Sequence, residues 1–115
     1  VMSVATNDLE KPAKSQLKNA GILNFFLDIL GADSGFGSKP DASQLIELKR
    51  RSGLHSHEIV MVGDSTHDMV AARNAGIRSF GVLTGVASRK DLKPYADAGV
   101  EDISYLSTWI KNQNC

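Results

Sequence analysis

The stretch Ile59-Val60-Met61-Val62-Gly63-Asp64-Ser65-Thr66-His67-Asp68 restricts the possible folds more than any other part of the chain. Four apolar residues in a row make a short buried strand. Gly63 lets the chain turn, Asp64 stands at the strand's carboxyl end, and a helical pattern begins at once. A strand that runs straight into a helix is the unit from which parallel α/β sheets are built. Such sheets bind their ligands at the carboxyl edge of the strands. A carboxylate at that edge, with a second one helical turn later, suits Mg²⁺, which takes hard oxygen ligands and few carboxylates.

The rest of the chain repeats the alternation. Val1 to Thr6 is a short β-biased apolar run, closed by Asn7 and Asp8. Pro12 opens a helix carrying Ala13, Leu17 and Ala20 on one side, and Leu27 to Leu30 reads as a second strand. A glycine-bearing loop runs from Gly31 to Pro40. Asp41, with Gln44 three residues on, predicts the cap of a helix that ends at Gly53. The strand at 59–62 leads into a helix stopped by Gly76, and Ser79 to Val82 is a fourth strand. A short helix is expected from Ser88 to about Ala96, a weak edge strand from Val100 to Ile103, and a last amphipathic helix around Leu106, Trp109 and Ile110. Strands alternating with helices predict a Rossmann-like three-layer α/β/α fold. Its sheet is parallel and its crossovers are right-handed. All strands then point their carboxyl ends to one edge, which gathers Thr6, Asp64 and the loop after Leu30.

Length and charge set limits on function. The 115 residues fit one domain, residues 1–115, with no linker or repeat. Thirteen basic residues balance thirteen acidic ones. That balance supports neither a nucleic-acid surface nor a polybasic membrane anchor. The single cysteine, Cys115, cannot form an internal disulfide. With no apolar run of spanning length and no signal-peptide pattern, the expected setting is the cytoplasm. The chain starts at Val1, inside a strand pattern, and so reads as the second part of something longer.

Several residues at the predicted edge could carry chemistry, each beside a structural alternative. Asp64 suits a direct metal ligand. Asp68 suits a supporting role, or simply the capping-box position of a helix whose N-cap is Ser65. Ser65 could cap that helix or meet a phosphate. Thr6 and the Asn7 backbone could hold phosphoryl oxygens, or end the strand as turn residues. Lys39, just before Pro40, could neutralise a phosphate or be a solvated surface charge. His55, His57 and His67 lack ligand spacing for zinc.

Taken together, these segments resemble the haloacid dehalogenase superfamily, and within it the phosphoglycolate-phosphatase-like members. Met2-Ser3-Val4-Ala5-Thr6-Asn7 resembles that family's second motif, and Gly37-Ser38-Lys39-Pro40 its third. Gly63-Asp64-Ser65-Thr66-His67-Asp68, continuing to Gly76, resembles the fourth. Ala42 stands where many relatives repeat a proline. The resemblance implies Mg²⁺-dependent hydrolysis of a small phosphorylated metabolite. Asp64 would bind the metal with Asp68 assisting, Thr6, Asn7 and Ser65 would hold phosphate, and Lys39 would offset its charge.

The family's first motif, an Asp-x-Asp that supplies the nucleophile and the general acid/base, occurs nowhere in this sequence. The cap domain that selects substrate would also lie upstream of Val1. In the family's sheet order the missing first strand is central, between the strands at 1–6 and 59–62. The chain is therefore expected to close that gap, to fill it by strand exchange or oligomerisation, or to be marginally folded. Two other readings stay open: a non-catalytic phosphate- and Mg²⁺-binding scaffold, and a receiver module phosphorylated on Asp64.

Overall fold

The computed structural model describes residues 1–83, 94, 96, 98–100 and 106–113. Strands and helices alternate as β1 (Met2–Ala5), α1 (Glu10–Asn19), β2 (Phe26–Leu30), α2 (Ser43–Ser52), β3 (Val60–Gly63), α3 (Thr66–Ala75), β4 (Arg78–Val82), β5 (Ala98–Val100) and α4 (Leu106–Gln113). Single turns of 3-10 helix at Leu23–Phe25 and Ser56–Glu58 lead into β2 and β3. Every strand pair is parallel. The expected helix at 88–96 lies almost wholly outside the described residues. The last strand comes earlier than expected, at Ala98–Val100, and residues 101–103 lie outside the description.

Parallel pairing does not make one continuous sheet. Among the described residues β1 pairs only with β2, and β3, β4 and β5 form a second sheet in that order. Val60, Met61, Val62 and Gly63 are all half-buried. A strand hydrogen-bonded on both sides and covered on both faces would be buried along its length. Of the three outcomes foreseen for the gap, closure by hydrogen bonds between β1 and β3 is not the one adopted.

The two sheets share a core. Leu45 of α2, Ala71 and Ala72 of α3, and Ile77 form one buried cluster, with Ala5, Ile59 and Met61 packed against it. Side chains alternate across a strand, so Phe80 points to the opposite face. There Trp109 of α4 tilts against it, with ring centroids 5.3 Å apart. Helices thus cover both faces of the strand layer, as a three-layer α/β/α fold requires.

Distant residues fix two helix starts. The N-cap position of α1 is Leu9, which has no side-chain acceptor. Asp33, from the loop after β2, supplies one: the Glu10 N–H donates to its Oδ1 at 2.8 Å. The α2 start differs from the expected capping box. Ala42 is the N-cap, and Asp41 lies one residue outside, where its Oδ1 accepts from the Ser43 N–H at 2.7 Å. Gln44 turns inward instead, fully buried, and its Nε2 donates to the Thr6 carbonyl at 3.0 Å. Further along α2, Glu47 accepts from Arg50 and Arg51, and their guanidinium groups hold its carboxyl down at about 2. Arg51 also reaches Asp28 of β2 and lies over the Phe36 ring.

Candidate active site

Three segments meet at the carboxyl edge: the end of β1, the loop before α2, and the junction of β3 with α3. The Lys39 side chain joins them. Its Nζ donates to the Ala5 carbonyl at 2.8 Å and pairs with Asp68 Oδ1 at 2.6 Å. The side chains of Lys39 and Asp68 are only 10% and 9% exposed, so water screens the pair little. An ammonium has three donors, so one remains for an incoming anion.

Asp68 is a helix cap and an ion-pair partner at once. Ser65 Oγ accepts from the Asp68 N–H at 3.2 Å, and the Asp68 carboxylate returns the contact to the Ser65 N–H, closing a capping box. Asp68 Oδ2 also accepts from the Asp64 N–H at 3.1 Å. Both carboxylate oxygens are therefore engaged within the protein. The close approach depends on Gly63: a Cβ built there would lie 2.3 Å from Asp68 Cβ and 2.5 Å from Oδ2.

Asp64 is the opposite case. Its backbone is held by Asp68, while the residue itself is exposed at the strand end. No described cluster of three or more acidic, His or Cys side chains surrounds it. One free carboxylate plus waters and substrate oxygens is a donor set that Mg²⁺ accepts, whereas Zn²⁺ prefers a fuller cage of nitrogen and sulfur. The residues present therefore fit Mg²⁺ through Asp64. Asp68, already bonded to Lys39 and to the Asp64 and Ser65 amides, is placed to orient the Asp64 backbone.

Thr6 and Asn7 follow β1 directly and lie beside Lys39. The Thr6 N–H continues the β1–β2 ladder to the Leu30 carbonyl at 3.0 Å. Thr6 Oγ1 accepts from the Asp8 N–H at 3.1 Å, which leaves its own proton to donate. The Asn7 side chain faces Lys39, with Oδ1 accepting from the Lys39 N–H at 2.7 Å and Nδ2 donating to the Lys39 carbonyl at 3.0 Å. Gln44 closes the floor below Thr6; its Oε1 is buried without a described partner. Sequence reasoning missed this role for Gln44 and the side-chain role of Asn7. No local pattern signals a contact across 38 or 32 residues.

The histidines stand apart. His55 and His57 stack on each other before β3, and His67 is exposed on the first turn of α3. A cleft of about 450 Å³ opens at the amino end of β3, lined by His57, Glu58, Val60, Arg78 and Trp109, away from the Lys39–Asp68 pair.

A buried Lys–Asp pair, a strand-end carboxylate and a Thr thus meet at the carboxyl edge of a parallel α/β domain, the edge at which such sheets bind ligands. The family model for haloacid dehalogenase-like hydrolases matches residues 1–82, and the chain belongs to that family. It is 38% identical to a phosphoglycolate phosphatase of Vibrio cholerae over 85 residues, covering 74% of this chain and 38% of the relative. A phosphoglycolate phosphatase of Chromobacterium violaceum is 35% identical over 107 residues, covering 93% of this chain and 47% of the relative. The crystal structure of a predicted phosphoglycolate phosphatase from Haemophilus somnus superposes with a TM-score of 0.87 at 26% identity, covering 96% of this chain and 49% of that one. The chain thus spans half or less of the length of these relatives.

Proposed function

We propose that this chain carries the metal- and phosphate-binding half of a Mg²⁺-dependent phosphatase, acting on a small phosphomonoester through an aspartyl-phosphate. The nucleophilic Asp lies outside this sequence, which contains no Asp-x-Asp. The observation that carries the reading is the Lys39 ammonium, held between the β1 carbonyl of Ala5 and the buried carboxylate of Asp68 at the carboxyl edge. A cation fixed there by two partners is preorganised to meet anionic oxygens without reorganising during reaction.

Each residue has a role in that reading. Lys39 offsets the charge that accumulates when phosphate meets a carboxylate nucleophile. Thr6 donates its hydroxyl proton to a phosphoryl oxygen, and the Asn7 backbone offers a second donor. Asp64 holds Mg²⁺, which when bound neutralises phosphoryl charge. Asp68 orients both Lys39 and the Asp64 backbone, and Ser65 fixes Asp68 through the cap. The names of the relatives make phosphoglycolate the first substrate to try.

The edges of β1 and β3, unpaired among the described residues, support a further part of the reading: an extended segment, supplied by strand exchange or by a partner, lies between them. The reading includes a cytoplasmic setting and a small soluble metabolite as substrate, and the balanced charge of the sequence favours neither a nucleic-acid nor a membrane partner.

Hydrolysis of an aryl phosphate by this chain, with and without Mg²⁺ and beside Asp64→Asn, tests the assignment. The expected result is no turnover by the chain alone, and turnover when a segment bearing Asp-x-Asp is added. Mg²⁺-dependent turnover by the chain alone, lost in Asp64→Asn, would place the nucleophile inside the chain and refute that part of the reading. Phosphate binding without turnover after the segment is restored would favour the non-catalytic scaffold.

A further inference from the structure

We infer that Asn7 is a positioning residue for Lys39, acting through its side chain on the lysine backbone and not on phosphate. The inference rests on the reading of Lys39 as the phosphate-neutralising cation. Asn7 lies two residues past the end of β1, and Lys39 lies in the loop before α2. The Lys39 N–H donates to Asn7 Oδ1 at 2.7 Å, and Asn7 Nδ2 donates to the Lys39 carbonyl at 3.0 Å. A carboxamide carries a donor and an acceptor on one plane. It can therefore pair with both backbone groups of a single residue, as a neighbouring strand would.

Three hydrogen bonds then tie Lys39 to the end of β1: two between its backbone and the Asn7 side chain, one in each direction, and one from its Nζ to the Ala5 carbonyl. Asp68, by contrast, lies on α3, which follows β3 of the other sheet. Asn7 thereby sets the lysine's origin on the β1 side, and Asp68 sets the direction of its ammonium. With Oδ1 and Nδ2 both turned to Lys39, the side chain is committed, and only the Asn7 backbone N–H is left for phosphate. Gly35 and Gly37, both at positive φ, allow the preceding loop to bring Lys39 into this position.

The test uses the 115-residue chain, its Asn7→Ala and Asn7→Asp variants, and two readouts. The first is amide hydrogen exchange resolved by residue. The second is binding of inorganic phosphate with Mg²⁺, followed by ³¹P NMR. Asn7→Ala is expected to speed exchange of the Lys39 amide by about tenfold, the size of effect one lost hydrogen bond gives. Exchange in α3 and β4 stays unchanged, and phosphate binding weakens. Asn7→Asp retains the acceptor for the Lys39 N–H, so it keeps that amide slow while losing the bond to the Lys39 carbonyl. Unchanged Lys39 exchange in Asn7→Ala would overturn the inference. So would a uniform rise across all elements, the signature of a merely structural residue. If Asn7→Ala does not fold, fast Lys39 exchange in folded Asn7→Asp is the overturning result. Failure of the unsubstituted chain to bind phosphate would refute the proposed site, while the exchange data would still decide the clamp.

Discussion

Gly63 offers a direct test of the packing behind the site. Its φ lies outside the left-handed region, so alanine there meets no backbone penalty. The whole cost of Gly63→Ala must come from the new Cβ, which would sit 2.3 Å from Asp68 Cβ, 2.6 Å from Cγ and 2.5 Å from Oδ2. Asp68 has to move. Moving it weakens the cap, worth about 1 kcal/mol, and the carboxylate bonds to the Asp64 and Ser65 amides. It also pulls Oδ1 from Lys39, and an uncompensated buried pair costs about 3–5 kcal/mol. These effects share one side chain and do not add, so about 3 kcal/mol is the expected loss. For a chain of this size that lowers Tm by about 12 °C. Trp109, the only tryptophan, packs on Phe80 and reports the transition by fluorescence. A Tm within about 2 °C of the parent, with Asp64 and Ser65 amide exchange unchanged, would refute the close approach of Asp68 to β3.

Three further outcomes follow from the same contacts. Asp68→Asn keeps the shape but removes the charge facing Lys39, and should lower stability by about 3 kcal/mol in urea titration; Arg73→Gln, which touches none of these groups, serves as control. Glu47 is held at about 2 by Arg50 and Arg51, below its ordinary 4.5. A depressed folded value means that its contribution is complete above 4.5 and is lost as pH falls from there toward 2. Glu47→Gln should therefore flatten the acid side of the stability–pH curve while leaving the alkaline side unchanged, as urea titrations at several pH values would show. Finally, the edges of β1 and β3, open among the described residues, should make the chain associate with increasing concentration. Analytical ultracentrifugation showing a stable monomer at every concentration would contradict the need for a partner strand.

Much of the fold was legible because its signals are local. The apolar runs at 1–6, 27–30, 59–62 and 79–82 each sit within a residue or two of a strand. Ser65 with Asp68 marked a capping box that the structure contains. Thr6, Asp64 and the loop after Leu30, which carries Lys39, could be brought to one edge from topology alone, since parallel strands share a direction. What was not legible depends on partners far along the chain. Asp41 fitted the spacing of a cap, but Gln44, its expected reciprocal partner, is drawn 38 residues away to the Thr6 carbonyl. The α1 cap comes from Asp33, 23 residues from the amide it accepts. Asp68 read locally as either a cap or a site residue; only the arrival of Lys39 shows that one carboxylate serves both contacts. That β1 and β3 would flank the break came from the family resemblance alone, since periodicity carries no information about strand order, and the resemblance left open whether the chain would close it.

The most direct test of the central claim is phosphate binding by this chain as a function of Mg²⁺, measured by ³¹P NMR beside Asp64→Asn. A Mg²⁺- and phosphate-binding half-site predicts binding that requires Mg²⁺ and weakens at least about tenfold when Asp64 loses its charge, as expected for a metal held by a single protein carboxylate. Binding that is equally strong without Mg²⁺, or unchanged in Asp64→Asn, would contradict the assignment of Asp64 and with it the proposed site.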